Sequence, residues 1–280
     1  LCFNKANGEG EWAIYKVEMD NPDFYWLTNL VGVVDGLGIE VGEDPGCVAS
    51  LGDLQGAYDK ALKCIADSAY ADAAAIAQAL AKNIGTVETL EKNPMKEGQY
   101  RILSAYGDFF SKQGHKKAIY ASEDGATFAW KELGNGKEFI FEFTKSPYAA
   151  DYGMTEEETE QIYNIRAYIC GEDAPMYISE VEGRSQAIGL AEYASDYLVK
   201  PGSGSAFNLT LAGNTTLHLH AGGHGSGAGV NGNLVYWEAA PGASQWRLVY
   251  VAEVGSSVSD LLVEGTEVVS VAYFTPAGAA

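Results

Sequence analysis

The sequence predicts a mostly β protein with an α-helical N-terminal part. Over residues 51–92, alanine is dense and apolar residues recur at helical spacing. From Gln99 to about Val254, short alternating runs are separated by Gly, Asn, Asp and Ser, which is typical of strands and turns. These runs fall into three sets of four. The pattern predicts one closed all-β domain with pseudo-threefold symmetry, preceded by a helical hairpin.

The composition limits the partners of the chain. Its 280 residues hold Lys+Arg 18 against Asp+Glu 38, a formal net charge of −20. A surface this acidic repels phosphate backbones and anionic headgroups, so nucleic acid is excluded as a partner. No run approaches the roughly 20 apolar residues that a membrane span needs, so no membrane insertion is expected.

The first 95 residues divide into two predicted segments. Residues 1–20 carry an alternating run from Glu11 to Glu18, which predicts a terminal strand, either of this chain's own fold or of a preceding module. Residues 21–95 form the helical segment, although 21–50 show no clear period. The residues at helical spacing are Leu54, Tyr58, Ala61, Leu62, Ile65, Ala73, Ile76, Ala77, Leu80 and Ile84.

Twelve strands are predicted between residues 96 and 255. The first set is Tyr100–Ala105, Lys117–Ser122, Thr127–Glu132 and Phe139–Thr144. The second set is Tyr163–Ile169, Met176–Val181, Ile188–Tyr193 and Tyr197–Lys200. The third set is Phe207–Leu211, Thr216–Ala221, Leu234–Glu238 and Trp246–Ala252. The third strands of sets one and three look alike, since Phe128-Ala129-Trp130-Lys131-Glu132 compares with Val235-Tyr236-Trp237-Glu238. An acidic, helix-like insertion at Ala149–Gln161 decorates a loop.

The residues after Val254 predict a linker and further strands. Gly255-Ser256-Ser257 is followed by strand-like runs at Leu262–Val263 and Val268–Phe274. Residues 256–280 are too few for another core, so they are predicted to begin a C-terminal module, or to pad the present one, rather than to fold alone.

Four cysteines, Cys2, Cys47, Cys64 and Cys170, allow three complete pairings. The sequence does not choose among them, and free buried thiols are the alternative.

Three histidines, His218, His220 and His224, raise the question of a metal site. Two imidazoles on alternate residues of a strand face the same side, so the spacing His-x-His allows both to bind one metal ion. No Asp, Glu or Cys lies within several residues to complete a coordination shell. We therefore expect no metal, and we expect the imidazoles to bond backbone groups.

The same stretch offers the side chains of a sugar site. Sugars need planar donors and acceptors for hydroxyl pairs and an aromatic face for the C–H side. The candidate ligand-binding residues are His220, His224, Asn231, Asn233, Tyr236 and Trp237, with Asp108 and Trp130 in the first set. The alternative is that these aromatic rings pack the barrel and its caps.

Catalysis finds little support in the sequence. The chain has no Gly-x-Ser-x-Gly, His-Glu-x-x-His, P-loop or dinucleotide fingerprint. The glycine-rich run Gly222–Gly229 lies between strands, with no following helix or lysine to hold a phosphate. We expect no enzyme activity and no cofactor.

Three stretches of the third set resemble the closing repeat of ricin-type β-trefoil lectin domains. They are Leu217-His218-Leu219-His220-Ala221-Gly222-Gly223-His224, then Gly232-Asn233-Leu234-Val235-Tyr236-Trp237-Glu238, then Ser244-Gln245-Trp246-Arg247-Leu248-Val249. The family's motif is Gln-x-Trp with the Trp in the core; here Trp246 matches, position 244 is Ser, and Gln245 is adjacent. The other sets carry Phe139-Ile140-Phe141 and Tyr197-Leu198-Val199 instead. The resemblance covers about residues 96–255 and implies a β-trefoil of three four-strand repeats.

The chain is most similar to versions of this domain in large secreted or surface proteins of gut-type Bacteroidales bacteria. Gly10–Tyr15 looks like the last strand of a similar repeat, and Glu267–Gly278 looks like the first strand of small C-terminal modules. The resemblance implies a fragment of a multidomain secreted or cell-surface protein, covalently linked to neighbouring modules.

The function implied is that of a noncatalytic carbohydrate-binding module that holds glycans or surface glycoproteins. Two alternatives remain open: a structural or adhesion module that binds protein or spaces other domains, and an accessory domain of a secreted hydrolase.

Overall fold

A computed structural model describes residues 2–6, 11–15, 20–105, 117–181, 187–222, 232–238 and 242–256. The chain divides into two compact units. The first comprises Leu1–Leu37 and Leu51–Leu90, and the second comprises Gly38–Ser50 and Glu91–Ala280.

In its described residues, the first unit contains a strand hairpin and three α-helices. Strand β1 (Cys2–Ala6) pairs antiparallel with β2 (Glu11–Tyr15), where a terminal strand was predicted. The helices are α1 (Pro22–Asp35), α2 (Asp53–Ala66) and α3 (Ala73–Ile84). Their buried side chains form one cluster: Leu27, Val31, Leu54, Ala57, Tyr58, Ala61, Cys64, Ala73, Ala77 and Leu80.

Helix α1 corrects the predicted helical hairpin, because the described part of the unit holds three α-helices rather than two. Its charge-free stretch from Phe24 to Val34 hides the period of 3.6, and Gly32 lies in its interior. The helix is held by its buried face and by Tyr58 of α2, which donates a hydrogen bond to the Asp35 carboxylate. Tertiary packing therefore overrides the low helix propensity of the glycine.

The second unit contains all twelve strands predicted between residues 96 and 255, with ends within two residues of the prediction. They are β3 (Gly98–Ser104), β4 (Lys117–Ala121), β5 (Phe128–Glu132), β6 (Ile140–Lys145), β7 (Ile162–Ala167), β8 (Tyr177–Glu180), β9 (Ile188–Ala191), β10 (Tyr197–Pro201), β11 (Phe207–Leu211), β12 (His218–Ala221), β13 (Leu234–Trp237) and β14 (Gln245–Ala252).

Six of these strands close into an antiparallel barrel. The pairing runs β3–β6–β7–β10–β11–β14 and returns from β14 to β3. The other six strands form three hairpins, β4–β5, β8–β9 and β12–β13, and each hairpin also pairs with the barrel strand before it. Bridges between Trp130 and Gly232 and between Ala187 and Val235 join the hairpins to one another.

Alternation along the barrel strands sends every second side chain into one core. Aromatic rings fill much of it. Its largest fully buried members are Trp130, Trp246, Tyr100, Tyr163, Tyr197, Tyr236, Phe141, Phe143 and Ile102.

The insertion between β6 and β7 packs outside the barrel. It contains the short helix α4 (Glu156–Thr159), where a helix-like insertion was predicted. The Thr155 hydroxyl accepts a hydrogen bond from the backbone N–H of Glu158, whose carboxylate reaches back to the backbone N–H of Thr155. Glu158 also pairs with Lys200 of β10 at 2.8 Å.

Residues 38–50, here called the strap, belong to the barrel unit although helices precede and follow them. The Asp44 carboxylate accepts a hydrogen bond from the backbone N–H of Tyr250, and Glu40 pairs with Arg247, so the strap binds along β14. The backbone N–H of Gly46 donates to the Asn93 carbonyl at 2.8 Å. The predicted helical segment over 21–95 is therefore interrupted by chain that packs on the barrel.

Within the described ranges, none of the helices combines the length and the apolar character that crossing a bilayer requires. Cys47, Cys64 and Cys170 are free thiols, the first two buried. The predicted strands at Leu262–Val263 and Val268–Phe274 lie outside the described residues.

The strap makes a testable prediction at Gly46. Both Gly46 (φ +79°) and Gly153 (φ +62°) are left-handed, so alanine at either costs about 1–2 kcal/mol in backbone strain. A Cβ on Gly46 would also lie 2.6 Å from the Ser205 carbonyl oxygen, whereas one on Gly153 meets nothing within 4 Å. Urea denaturation should show a larger loss of unfolding free energy for Gly46→Ala than for Gly153→Ala. Equal losses would contradict the packing of the strap.

Candidate functional site

The outer face of the third hairpin, β12–β13, gathers the polar and aromatic side chains of the candidate site. His218 pairs with Trp237 and His220 pairs with Val235 across the two strands. Because side chains alternate, these four share one face, and Leu219 and Tyr236 point into the core from the other.

Trp237 presents an indole ring to solvent on that face. Its residue is 48% exposed, and the ring stacks on the imidazole of His220 at 5.7 Å between centroids and 27° between planes. The Nδ1 of His220 lies 2.8 Å from the hydroxyl oxygen of Ser244. Ser244 is fully buried and comes directly before β14 in the chain. This hydrogen bond fixes the imidazole, and the imidazole supports the indole.

His218 lies beside Trp237 in a setting that keeps it neutral. Its Nδ1 is 2.9 Å from the hydroxyl oxygen of Thr210 on β11. Burial, and secondarily the Lys200 ammonium, lower the pKa of His218 below its usual range. The neutral form of the imidazole is therefore favoured over the charged form.

Two predicted ligand residues, Tyr236 and Trp130, are core residues in the structure. Each is 1% exposed. The Tyr236 hydroxyl bonds that of Tyr197, and the Trp130 indole N–H donates to the Gly222 carbonyl at 3.2 Å. Neither ring offers a face to solvent, so both serve packing.

The likeness between Phe128–Glu132 and Val235–Glu238 misleads by one position. Trp130 pairs with Ile119, and Tyr236 pairs with Leu219, so Trp130 corresponds to Tyr236 rather than to Trp237. A shift of one residue in a strand moves a side chain to the opposite face. Trp237 is outward for that reason, and Trp130 is inward.

The first and second hairpins carry different residues at the register of Trp237. The first has Lys131, whose ammonium lies 4.1 Å from the ring centroid of Tyr120 and 4.9 Å from that of Phe139. Glu138 is 3.7 Å from the same ammonium. The second hairpin has Ala191, opposite Tyr177. Among the described residues at this register, an open aromatic ring is found on the third hairpin alone.

Of the four remaining predicted site residues, one lies within the described residues and three lie outside them. Asn233 is exposed just before β13, and its carbonyl accepts from the backbone N–H of Gly222 at 2.8 Å. Asp108, His224 and Asn231 lie outside the described residues.

The sequence did not single out Ser244 or Thr210 as partners of the histidines. Only the pairing of β12 with β11, and the turn before β14, bring them to the imidazoles. In the part of the chain that is described, no three His, Cys, Asp or Glu side chains are grouped so as to hold a metal.

No protein-family model and no curated protein matches the chain. Among solved structures, it is similar to the β-trefoil BEL at 11% identity, with a TM-score of 0.39, over 56% of this chain and 96% of that one. It is similar to the ricin B-like lectin of Macrolepiota procera, in complex with lactose, at 15% identity and a TM-score of 0.40, over 56% of this chain and 99% of that one.

A third similar structure is an endo-β-galactosidase from Clostridium perfringens, at 13% identity and a TM-score of 0.38. That match covers 58% of this chain and 34% of the enzyme. The neighbours thus include β-trefoil and ricin B-like lectins at low identity.

The environment of His218 predicts its titration. Lys200→Met removes the ammonium that disfavours protonation and leaves Glu158 without its partner, so the pKa of His218 should rise. It should stay below the usual range, since burial is the larger cause. Histidine ring resonances followed by NMR against pH measure this. Lys96→Met, which removes a lysine that pairs with Glu253, is the control. A fall in pKa, or no change, would contradict the arrangement.

Proposed function

We propose that the barrel and its hairpins are a β-trefoil of the ricin B type, built from three four-strand repeats. Each proposed repeat is a barrel strand, a hairpin and a second barrel strand, as the pairing order allows.

One contact recurs at matching register in all three hairpins and supports this proposal. In each hairpin, one residue of the first strand contacts a residue near the start of the barrel strand that follows the hairpin. That second residue lies two positions before the aromatic residue that this barrel strand points into the core. The contacts are His220–Ser244, Ser179–Ser195 (3.5 Å between hydroxyl oxygens) and Tyr120–Phe139 (6.3 Å between ring centroids).

We propose that the chain is a noncatalytic module that binds carbohydrate on the outer face of the third hairpin. The observation that carries this is the open indole of Trp237, supported from behind by His220. A pyranose has an apolar C–H face that stacks on such a ring, and its hydroxyls need planar donors and acceptors at the rim. His218, held neutral, supplies an imidazole there without a charge to desolvate.

A site on one hairpin face is shallow, so its affinity for a single sugar is low. We propose that the module acts at the surface of a larger secreted or cell-surface protein, where neighbouring modules add avidity. Glycans or surface glycoproteins are then its partners.

The first unit favours a second candidate function, contact with protein. Helix α1 exposes Tyr25 and Trp26, and Val33 lies on the exposed side further along. Exposed aromatic residues are enriched at protein interfaces. This corresponds to an adhesion or spacing role, and Trp26→Ala tests it by loss of protein capture without loss of glycan binding.

The glycan proposal is tested on the full chain with a glycan array, followed by titration of the best glycan. Trp237→Ala should lower its affinity tenfold or more, because the stacking surface is lost; tenfold corresponds to about 1.4 kcal/mol. Trp26→Ala, which removes another exposed indole, is the matched control and should bind like the original chain.

Two results would overturn the proposal. One is an array on which no glycan binds above background. The other is equal affinity of the Trp237→Ala and Trp26→Ala variants for the best glycan.

A further inference from the structure

We propose an anion-binding site at Arg101, on the outer side of barrel strand β3, that takes the paired oxygens of a carboxylate or a phosphate group. The site goes beyond the proposed function and uses none of the residues assigned to it. Tyr100 and Ile102, on either side of Arg101 in the chain, are fully buried in the barrel core. Because side chains alternate along a strand, Arg101 lies on the outer side of the barrel.

The Arg101 side chain is half-buried in apolar surroundings. The strand register places Val249 of β14 and Ile140 of β6 opposite Arg101, and Leu103, two residues further along β3, is buried on the same side. The Nε of Arg101 is buried and has no hydrogen-bond partner among the described residues. Burial lowers the pKa of Arg101 from its usual value, but an arginine in a protein stays protonated at pH 7. The outer side of β3 therefore holds a partly desolvated positive charge.

Arg101 differs in its electrostatic partners from the two other arginines that the structure describes. Arg166 pairs with Glu142 at 2.8 Å, and Arg247 pairs with Glu40. Over the described ranges, no Asp or Glu forms an ion pair with Arg101, and burial is the cause of its pKa shift. Burying a charge without a partner is costly, so an anion that pairs with this guanidinium is stabilised there.

The carboxylate on the neighbouring strand β6 is already saturated. Glu142 lies opposite Gln99, two residues before Arg101. One of its oxygens accepts two hydrogen bonds from Arg166, and the other accepts from the Gln99 side-chain amide at 3.2 Å and from the backbone N–H of Gly255 at 3.0 Å. A carboxylate has about four acceptor sites, so these bonds leave none for Arg101. The counter-ion of Arg101 is therefore expected to come from a ligand.

The guanidinium group selects the chemistry of that ligand. Its planar fork of N–H donors matches the two oxygens of a carboxylate or a phosphate, and such bidentate pairs are among the strong hydrogen bonds of proteins. Because Nε is buried, the ligand is expected to bond through Nη1 and Nη2. The formal net charge of −20 repels anions at long range, so binding depends on this short-range fit and not on a basic surface.

The test follows the arginine Nε–Hε signals of the ¹⁵N-labelled full chain by NMR. Sodium acetate, sodium phosphate and sodium chloride are added in separate titrations, and Arg101→Lys identifies the Arg101 signal by its disappearance. We expect acetate or phosphate to shift that signal in a saturable way, and the larger response tells a carboxylate site from a phosphate site. The signals of Arg166 and Arg247 are internal controls that should shift much less, because both guanidinium groups are already paired.

Arg101→Met separates a binding role from a structural one. It removes a partly desolvated charge, so the variant should be at least as stable as the original chain in buffer without either anion. The rise in melting temperature that acetate or phosphate gives the original chain should be lost. Lys145→Met is the matched control and should keep that rise, since it removes a positive charge that already lies 3.7 Å from the Glu160 carboxylate.

The site is overturned if neither acetate nor phosphate shifts the Arg101 signal more than chloride does. It is also overturned if the three arginine signals respond equally, which is a general effect of salt, or if Arg101→Met keeps the rise in melting temperature. If Arg101→Met does not fold, the signals of the original chain decide. None of these results bears on the glycan proposal, which is tested at Trp237.

Discussion

Strand β14 is the element on which both the barrel and the candidate site depend. It closes the barrel by pairing with β3 along most of its length and with β11 at its start. Its Trp246 is fully buried, and the indole N–H donates to the Leu219 carbonyl of β12 at 2.9 Å. That bond ties the third hairpin to the closing strand, and Ser244, just before β14, holds His220. The strand that closes the barrel therefore also orients His220, the residue on which Trp237 stacks.

The same strand also explains why the strap, which precedes the barrel in sequence, packs against the barrel. Arg247 pairs with Glu40, and the backbone N–H of Tyr250 finds its acceptor in the Asp44 carboxylate. Among the described residues, β14 pairs with β11 only at its start, so the edge of β14 further along has no neighbouring strand. The strap supplies the acceptor for a backbone N–H on that edge, which a neighbouring strand would otherwise supply.

One scaffold position carries three different chemistries on the three hairpins. At the register of Trp237, the first hairpin has Lys131 packed on aromatic rings, and the second has Ala191. The backbone pairing is the same in each case, so the side chain alone decides the character of that face. It carries an exposed aromatic ring in the third hairpin, a lysine packed on aromatic rings in the first, and a methyl group in the second. Function on such a scaffold is a property of individual residues rather than of the fold.

The sequence by itself determined the twelve strands of the barrel unit and the helices α2 and α3. Alternation and the 3.6-residue period are local properties, so they survive without knowledge of the fold. It did not determine α1, whose apolar residues lack a polar face to mark the period. The tertiary structure alone decided that Trp237 faces solvent while Trp130 and Tyr236 face the core, because pairing register sets the face. It also decided that His220 meets Ser244. That contact joins residues 24 positions apart, and strand pairing and chain reversal, not local propensity, bring them together.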